Sequence, residues 1–427
     1  MENELNPLII NNKKRFKFYN SLSKKIDTLE FKENTEVKMF TCGPSIYRKP
    51  HIGNYRTFLF EDILQRYLEY SGYKVKRLMN FTDIEDKAIE EAKLKGITVK
   101  ELTQEIAKLF LEDLKLLSIK VPTFIVRSTE AIDEIICIIS KLLEKGYAYY
   151  YKGDIYFDPT KFKGFGKLYG LDMTKWPKKK IRFKRDNYSY NMWNLGDFIL
   201  WHSCKDENYP CWDTPIGRGW PAWNAQDPGI ILHSLGTKVD ICCGGIDNRL
   251  MHHDYNIAIM ESYSGEDFCP FWMHGHHLFV NGKKMSKRKK NILYVEDLIE
   301  KGYSTKEIRF FLIYSHYSEK MNFTYHKFER VSKKLNMFSK MINNIISKKN
   351  IEYSSPEVPK LIETISPVFE KNMGNDLNVK KAFDDVFEII KKLNSFKMEG
   401  KISDKDSGKI NDIIHRIDDV LKVTFTN

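Results

Sequence analysis

Two short runs in this 427-residue chain carry residue types suited to holding phosphate. In the first, Cys42-Gly43-Pro44 closes an apolar stretch, and His51-Ile52-Gly53-Asn54 follows where a helix should open. The first turn of a helix has unpaired N–H groups and a partial positive charge, Gly53 admits close backbone approach, and His51 and Asn54 can donate to phosphate oxygens. A helix cap with a solvated histidine accounts for the same four residues. In the second run, Lys283-Lys284-Met285-Ser286-Lys287-Arg288-Lys289-Lys290, six cations fall in eight residues after an apolar stretch and a glycine turn. Lysines on a loop can clamp a triphosphate and neutralise the charge that spreads over it as its α-phosphate is attacked. A nuclear-localisation or RNA-contacting tract reads the same way.

Such residues act only if elements bring them together. VKMFTC (37–42) predicts a buried strand, 57–72 an amphipathic helix closed by Gly72, and 73–80 a second strand. This βαβ unit implies a parallel sheet with a right-handed crossover. Helices are expected over 86–95 and 99–117, a strand around 121–128, and a helix over 131–146 whose Ile132, Ile135, Ile136, Ile139 and Leu143 share a core stripe. Residues 147–222 turn rich in tyrosine and tryptophan with short strand candidates, and Lys161 to Asp186 carries ten basic residues against Asp172 and Asp186, the pattern of an insertion. Strand, Gly-Gly turn and helix return over 239–262, and beyond about Arg309 helical periodicity dominates, with 326–350 strongly basic and helices over 378–396 and 403–422.

The fold expected is therefore α/β: a split Rossmann-like parallel-sheet catalytic domain with an insertion, followed by an all-helical C-terminal bundle. Its divisions are 1–150 and 223–308 for the two halves of the nucleotide-binding domain, 151–222 for the connective insertion and 309–427 for a helical bundle. The 69 Lys+Arg against 57 Asp+Glu leave a net charge of +12, which suits a polyanionic partner, and the 42% hydrophobic content excludes disorder and collagen. No stretch has the apolar length of a membrane helix, and MENELNPLIINNKKRF lacks the core of a secretory signal, so a cytoplasmic protein with no membrane partner is expected. Seven scattered cysteines argue against a disulfide framework and for reduced thiols or a metal.

Found together, HIGN after the first strand and KMSKR after the last resemble the signatures of a class I aminoacyl-tRNA synthetase. CGPSIYRKPHIGN, NFTDIEDK (80–87), GDFILW (196–201), RGWPAW (218–223), GGID…MHHD (244–254), KMSKR and SHYSEKMNF (315–323) all look like cysteinyl-tRNA synthetase, in order and at similar spacing over about residues 36–420. The resemblance implies ATP-dependent ligation of L-cysteine to tRNA(Cys) through cysteinyl-adenylate, with release of AMP and pyrophosphate. It implies that His51, Gly53, Asn54 and Lys287 hold ATP with its Mg²⁺, that His51, Asn54, Lys284 and Lys287 serve catalysis, and that Gly244, Gly245 and Asp247 line the nucleoside pocket. Cys42, Gly43, Thr82 and Trp223 match positions that contact the amino acid. The signature's usual final serine is Arg288 here, which keeps the loop cationic.

The family selects cysteine through a Zn²⁺ ion that takes the substrate thiol, because a serine hydroxyl is a poorer ligand for a borderline-soft metal. Its ligands are two cysteines, a histidine and a glutamate, and the matching positions here are Cys42, Asp227, His252 and Asn256. In one reading Cys42, Asp227 and His252 keep a three-ligand zinc whose fourth position takes the substrate thiolate. In the other, favoured by the hard Asp227 and neutral Asn256, the metal is lost and the pocket walls discriminate by only roughly 10–200-fold, so that serine is misactivated. Cys242 and Cys243 read as small buried hydrophobes, and His253, His274, His276 and His277 as surface or supporting groups rather than ligands.

The family continues past the bundle with a small anticodon-reading domain, whereas this sequence stops at Asn427, so tRNA phosphates are expected on 326–350 and the KMSKR loop. A monomer is the family expectation. Two rivals remain: a ligase that joins cysteine to an amino sugar, and a non-catalytic adenylate- or RNA-binding paralogue.

Overall fold

The computed structural model describes residues 15–31, 35–175, 197–204, 210–286 and 289–425. A hairpin of β1 (Phe16–Asn20) and β2 (Lys25–Leu29) precedes the first sheet strand, β3 (Glu36–Thr41), and the long helix α1 (Ile52–Tyr70). β4 (Lys74–Phe81), α2 (Asp86–Lys95), α3 (Val99–Leu116), β5 (Phe124–Arg127) and α4 (Ile132–Glu144) complete the first half. β6 (Ala148–Tyr151), β7 (Asp154–Phe157), β8 (Phe198–Ser203) and β9 (Gly219–Pro221) come next, and then α5 (Trp223–Leu235), β10 (Ile241–Gly245), α6 (Asp254–Ser264) and β11 (Phe271–Gly275).

β3, β4, β5, β10 and β11 form a five-stranded sheet in the order β11-β10-β3-β4-β5, with every neighbouring pair parallel. Strand order reverses between β3 and β10, and the carboxyl ends at such a switch point form a crevice that no crossover fills. Cys42 and Gly244 stand at those two ends. Strands buried on both faces must be apolar throughout, and Met39, Phe40, Ile241, Cys242 and Cys243 are all fully buried.

α1 starts five residues earlier than its periodicity suggests, because the HIGN run is itself the cap. Asn54 Oδ1 accepts from the His51 N–H and His51 Nδ1 accepts from the Gly53 N–H. The helix is buried nearly all round, since it lies between the sheet and the later helices. In α4 the buried stripe is Ile132, Ile135, Ile138, Ile139 and Leu142, while Ile136 and Leu143 are only half-buried. That rotation follows from α5 and α6 both packing on this helix, which one-sided periodicity does not reveal.

The insertion is an antiparallel sheet in the order β6-β7-β8-β9, and Phe198 of β8 stacks on Tyr255 of α6 with ring centroids 3.9 Å apart. Cys204 and Cys211, beside β8 and β9, are disulfide-bonded, against the expectation of reduced thiols throughout; Cys42, Cys137, Cys242, Cys243 and Cys269 are free. Gly219 of β9 pairs with Ser203 of β8 and also bridges Trp212, which brings Cys211 beside Cys204.

β12 (Leu278–Val280) pairs antiparallel with β13 (Lys283–Lys284), and α7 (Val295–Glu300) and α8 (Thr305–Ile313) lead to β14 (Met321–Phe323), which pairs parallel with β12. α9 (Tyr325–Ile346), α10 (Glu357–Met373), α11 (Val379–Met398) and α12 (Asp404–Leu421) form the helical bundle. Buried Arg309 joins it to α1: the guanidinium donates to Asp62 Oδ2 at 2.6 Å and to the Leu421 carbonyl at 2.6 Å. Among the described residues no helix is long and apolar enough to cross a membrane.

Candidate active site at the switch point of the sheet

The α1 cap fixes what His51 can offer. With Nδ1 accepting from the Gly53 N–H at 3.1 Å, the neutral ring carries its proton on Nε2, where it can donate to an anion. Burial holds the His51 pKa below its usual value, and the Lys284 ammonium pushes it the same way, so the ring is neutral near pH 7. Lys284 therefore lies near enough to be felt electrostatically, and Met285 closes the gap. Its Cε would stand 2.6 Å from a Cβ on Gly53, so the two signature runs touch. Asn291 holds the loop's shape by accepting from the Ser286 N–H at 2.9 Å and donating to the Lys284 carbonyl at 3.2 Å. Lys287 and Arg288 lie outside the described residues.

Arg56, one turn into α1, ties that helix to the platform of β12 and β14. It is buried and donates to the carbonyls of His276 at 3.1 Å, His316 at 2.8 Å and Glu319 at 2.7 Å, and to Ser315 Oγ at 2.7 Å. Nothing in the local pattern of the sequence marks Arg56, because its partners come from a distant segment.

Across the crevice, Gly244 has room for no side chain, since a Cβ would meet the His253 ring at 2.7 Å. Gly244 and Gly245 are the last residues of β10, paired with His274 and Gly275 of β11, rather than the turn expected from sequence; the chain turns at Ile246-Asp247, and the Asp247 carboxylate acts electrostatically on His276 and His277. Gly43 is equally confined, with a Cβ falling 1.9 Å from the Asn80 carbonyl oxygen.

The third cluster lies deeper. Cys42 after β3, Asp227 in α5 and His252 before α6 bring a sulfur, an oxygen and a nitrogen within 4.8 Å of one another, all three residues buried. His252 sits in a π-turn, Arg249–His253, of the kind that re-aims side chains at functional sites. Its Nε2 is 2.6 Å from Asp227 Oδ2, and its ring lies flat against Trp223, the first residue of α5, at 4.0 Å. Burial raises the Cys42 pKa well above the ordinary thiol value and Asp227 adds to the rise, so without a cation this is a thiol. Cys42 Sγ lies 2.9 Å from His253 Nε2, His253 Nδ1 lies 2.9 Å from His274 Nε2, and His274 Nδ1 lies 2.8 Å from Ser21 Oγ. His253 and His274 are thus fully buried supports behind the cluster, not surface groups. Cys242 and Cys243 are buried in the core.

Asn80, at the end of β4, links these parts. Its Oδ1 accepts from the Gly43 N–H at 2.6 Å while its Nδ2 donates to Asp227 Oδ1 at 2.7 Å and to Thr82 Oγ1 at 3.4 Å. Asn80 opens the NFTDIEDK run, yet its role follows only from what meets it in space.

Comparison with known proteins narrows the reading. Residues 28–334 match the family model of the class I (C) tRNA synthetase catalytic domain. The cysteine–tRNA ligase of Chlamydia pneumoniae is 36% identical over 412 residues, 95% of this chain and 86% of that protein. The chain belongs to the cysteine–tRNA ligase family. The family's enzyme from Leptospira interrogans is 37% identical, covering 88% of this chain and 80% of its own. That from Brachyspira hyodysenteriae is 35% identical with the same coverage, 88% and 80%. The fold also matches the methionyl-tRNA synthetase of Mycobacterium tuberculosis with its methionyl-adenylate, at TM-score 0.68 and 13% identity over 91% of this chain and 92% of that one. At that identity the likeness speaks for the fold alone. As members of the cysteine–tRNA ligase family, the class I architecture, the parallel sheet and the helical C-terminal region stand as expected.

Proposed function

We propose that the chain ligates L-cysteine to tRNA(Cys) through a cysteinyl-adenylate, with ATP held in the crevice between β3 and β10. The observation that carries this is the contact between the two signature runs, Gly53 against Met285, beside a buried cluster of thiol, carboxylate and imidazole. His51 donates from Nε2 to a phosphate oxygen at the positive end of the α1 dipole, while the first N–H groups of the helix are engaged within the protein, that of Ile52 by the Leu293 carbonyl and that of Gly53 by His51 Nδ1. Lys284, with Lys287 three residues further along the chain, neutralises charge as the cysteine carboxylate attacks the α-phosphate and pyrophosphate departs. Gly244 and Gly245 at the end of β10 and Asp247 just after it take the nucleoside, Mg²⁺ accompanies the triphosphate, and Gly43, Thr82 and Trp223 shape the amino-acid pocket.

Cys42, Asp227 and His252 fit a divalent cation in kind and in spacing, one sulfur, one oxygen and one nitrogen donor within 4.8 Å. Bound there, Zn²⁺ supplies a Lewis acid for the substrate thiolate. The chain's part is to orient the donors. Trp223 stacks on the His252 ring, and Asn80 holds Asp227. tRNA rests its backbone on α9, and the protein works in the cytoplasm.

Transfer of radiolabelled cysteine to tRNA(Cys), with ATP–pyrophosphate exchange driven by cysteine, tests the reading. Release of AMP on adding an amino-sugar acceptor instead of tRNA would favour the rival ligase, and failure of any amino acid to drive exchange would favour the non-catalytic paralogue.

A further inference from the structure

The matching position for a fourth family ligand holds Asn256, one helical turn beyond His252, and its side chain is already engaged. Asn256 Nδ2 donates to Asp227 Oδ2 at 3.2 Å, and Asn80 Nδ2 donates to Asp227 Oδ1 at 2.7 Å. The orientation of Asn80 is fixed, since its Oδ1 must accept from the Gly43 N–H at 2.6 Å. The orientation of Asn256 is fixed by charge, because turning its amide over would set Oδ1 against a carboxylate oxygen. Its Oδ1 is buried with no hydrogen-bond partner among the described residues, so every polar contact the side chain makes runs through its nitrogen to Asp227. Asp227 Oδ2 also meets His252 Nε2, at 2.6 Å, which places the carboxylate between a ligand and two amide donors.

Resting on the zinc reading above, we propose that Asn256 is no ligand but a positioning residue that, with Asn80, locks Asp227 so that a divalent cation is held by three protein donors and leaves one position for the substrate thiolate. The donor set then carries two negative charges, from Cys42 and Asp227, against a dication. A neutral centre repels an incoming thiolate less than one with three anionic donors would, and the thiolate is a good ligand for a borderline-soft ion where a serine hydroxyl is a poor one. Amide donors behind a ligating carboxylate orient it and hold the set together, and removing such a donor typically weakens metal binding by about 10–100-fold without changing which atoms bind.

The test replaces zinc by Co²⁺ in the full chain and reads its visible spectrum and its affinity against a chromogenic chelator, for the parent, Asn256→Ala and Asn80→Ser. The expected parent spectrum is four-coordinate with one thiolate band, and L-cysteine adds a second thiolate band where L-serine adds none. Asn256→Ala should keep the ligand-field bands of the parent while affinity falls about 10–100-fold, and Asn80→Ser, on the other carboxylate oxygen, should do the same. Ligand-field bands that shift in Asn256→Ala but not in Asn80→Ser would make Asn256 a ligand and overturn the inference while leaving the zinc reading standing. A parent protein that takes up neither Zn²⁺ nor Co²⁺ yet exchanges pyrophosphate with cysteine would overturn both. If Asn256→Ala does not fold, unchanged affinity in Asn80→Ser refutes the locking role.

Discussion

Met285 packs on Gly53: a Cβ at that glycine would lie 2.6 Å from the Met285 methyl and 3.0 Å from His51 Cε1. The glycine is required there by the approach of the second signature run, whatever the helix itself would tolerate. Gly53→Ala therefore has to displace a flexible methionine and tilt a cap residue, neither of which is backbone. The fold should survive with little change in melting temperature, while cysteine-dependent pyrophosphate exchange falls by about 10–100-fold, the scale set by a misplacement of about 1 Å. Wild-type exchange in a well-folded Gly53→Ala protein would separate the contact from catalysis.

Gly43→Ala should behave differently, because the atom in the way is the Asn80 carbonyl oxygen, 1.9 Å from the new Cβ, with Met79 Cγ at 2.8 Å. Backbone at the end of β4 would have to move, and with it the Asn80 side chain that holds Asp227. A loss of roughly 3 kcal/mol in urea unfolding is expected, at the upper end for overpacking, together with loss of exchange.

His253 and His274 are neutral because burial holds both below the usual histidine pKa, His274 at about 3. An unfolded chain binds protons at these rings below the ordinary value of 6.5 and the folded one does not. Stability is therefore full above that pH and falls as pH drops from there, for His274 by about 1.4 kcal/mol per pH unit down to about 3, with His253 acting in the same direction. Urea midpoints over this window should show that slope, and His274→Asn should make it shallower; an unchanged slope would mean that His274 is charged in the fold.

Removal of metal with a chelator should lower cysteine-dependent exchange more than serine-dependent exchange, since the softer thiolate is the better zinc ligand. The cysteine-to-serine ratio should then shrink towards the roughly 10–200-fold that pocket walls alone supply, and Zn²⁺ should restore it. A ratio indifferent to chelation would place discrimination in Thr82, Trp223 and their neighbours.

The charge pattern of the helical tail bears on tRNA binding. Basic residues of α9, including Lys333 and Lys340, are exposed, as is Lys348 just beyond it, so affinity for tRNA(Cys) should fall steeply with added salt. Reversing two of these charges should reduce the salt slope without altering cysteine-dependent exchange, which needs no tRNA; a slope that does not change would move the phosphate contacts elsewhere.

What was legible in the sequence was whatever is local or strictly ordered along the chain. β3, α1 and β4 could be read because apolar period and the Gly72 stop are properties of neighbouring residues, and the seven signature runs, from CGPSIYRKPHIGN to SHYSEKMNF, are contiguous. Tertiary structure decided the rest. The stripe of α4 turned because two helices pack on it, Cys204 found Cys211 because β8 and β9 pair, and Arg56 found its carbonyl partners across a platform assembled from distant segments. Sequence placed Asn256 as a substituted ligand, whereas in space its amide nitrogen meets Asp227. A residue type shows what a side chain can donate or accept. Which of those it does is fixed by the atom that folding puts within about 3 Å of it, and no spacing along the chain encodes that.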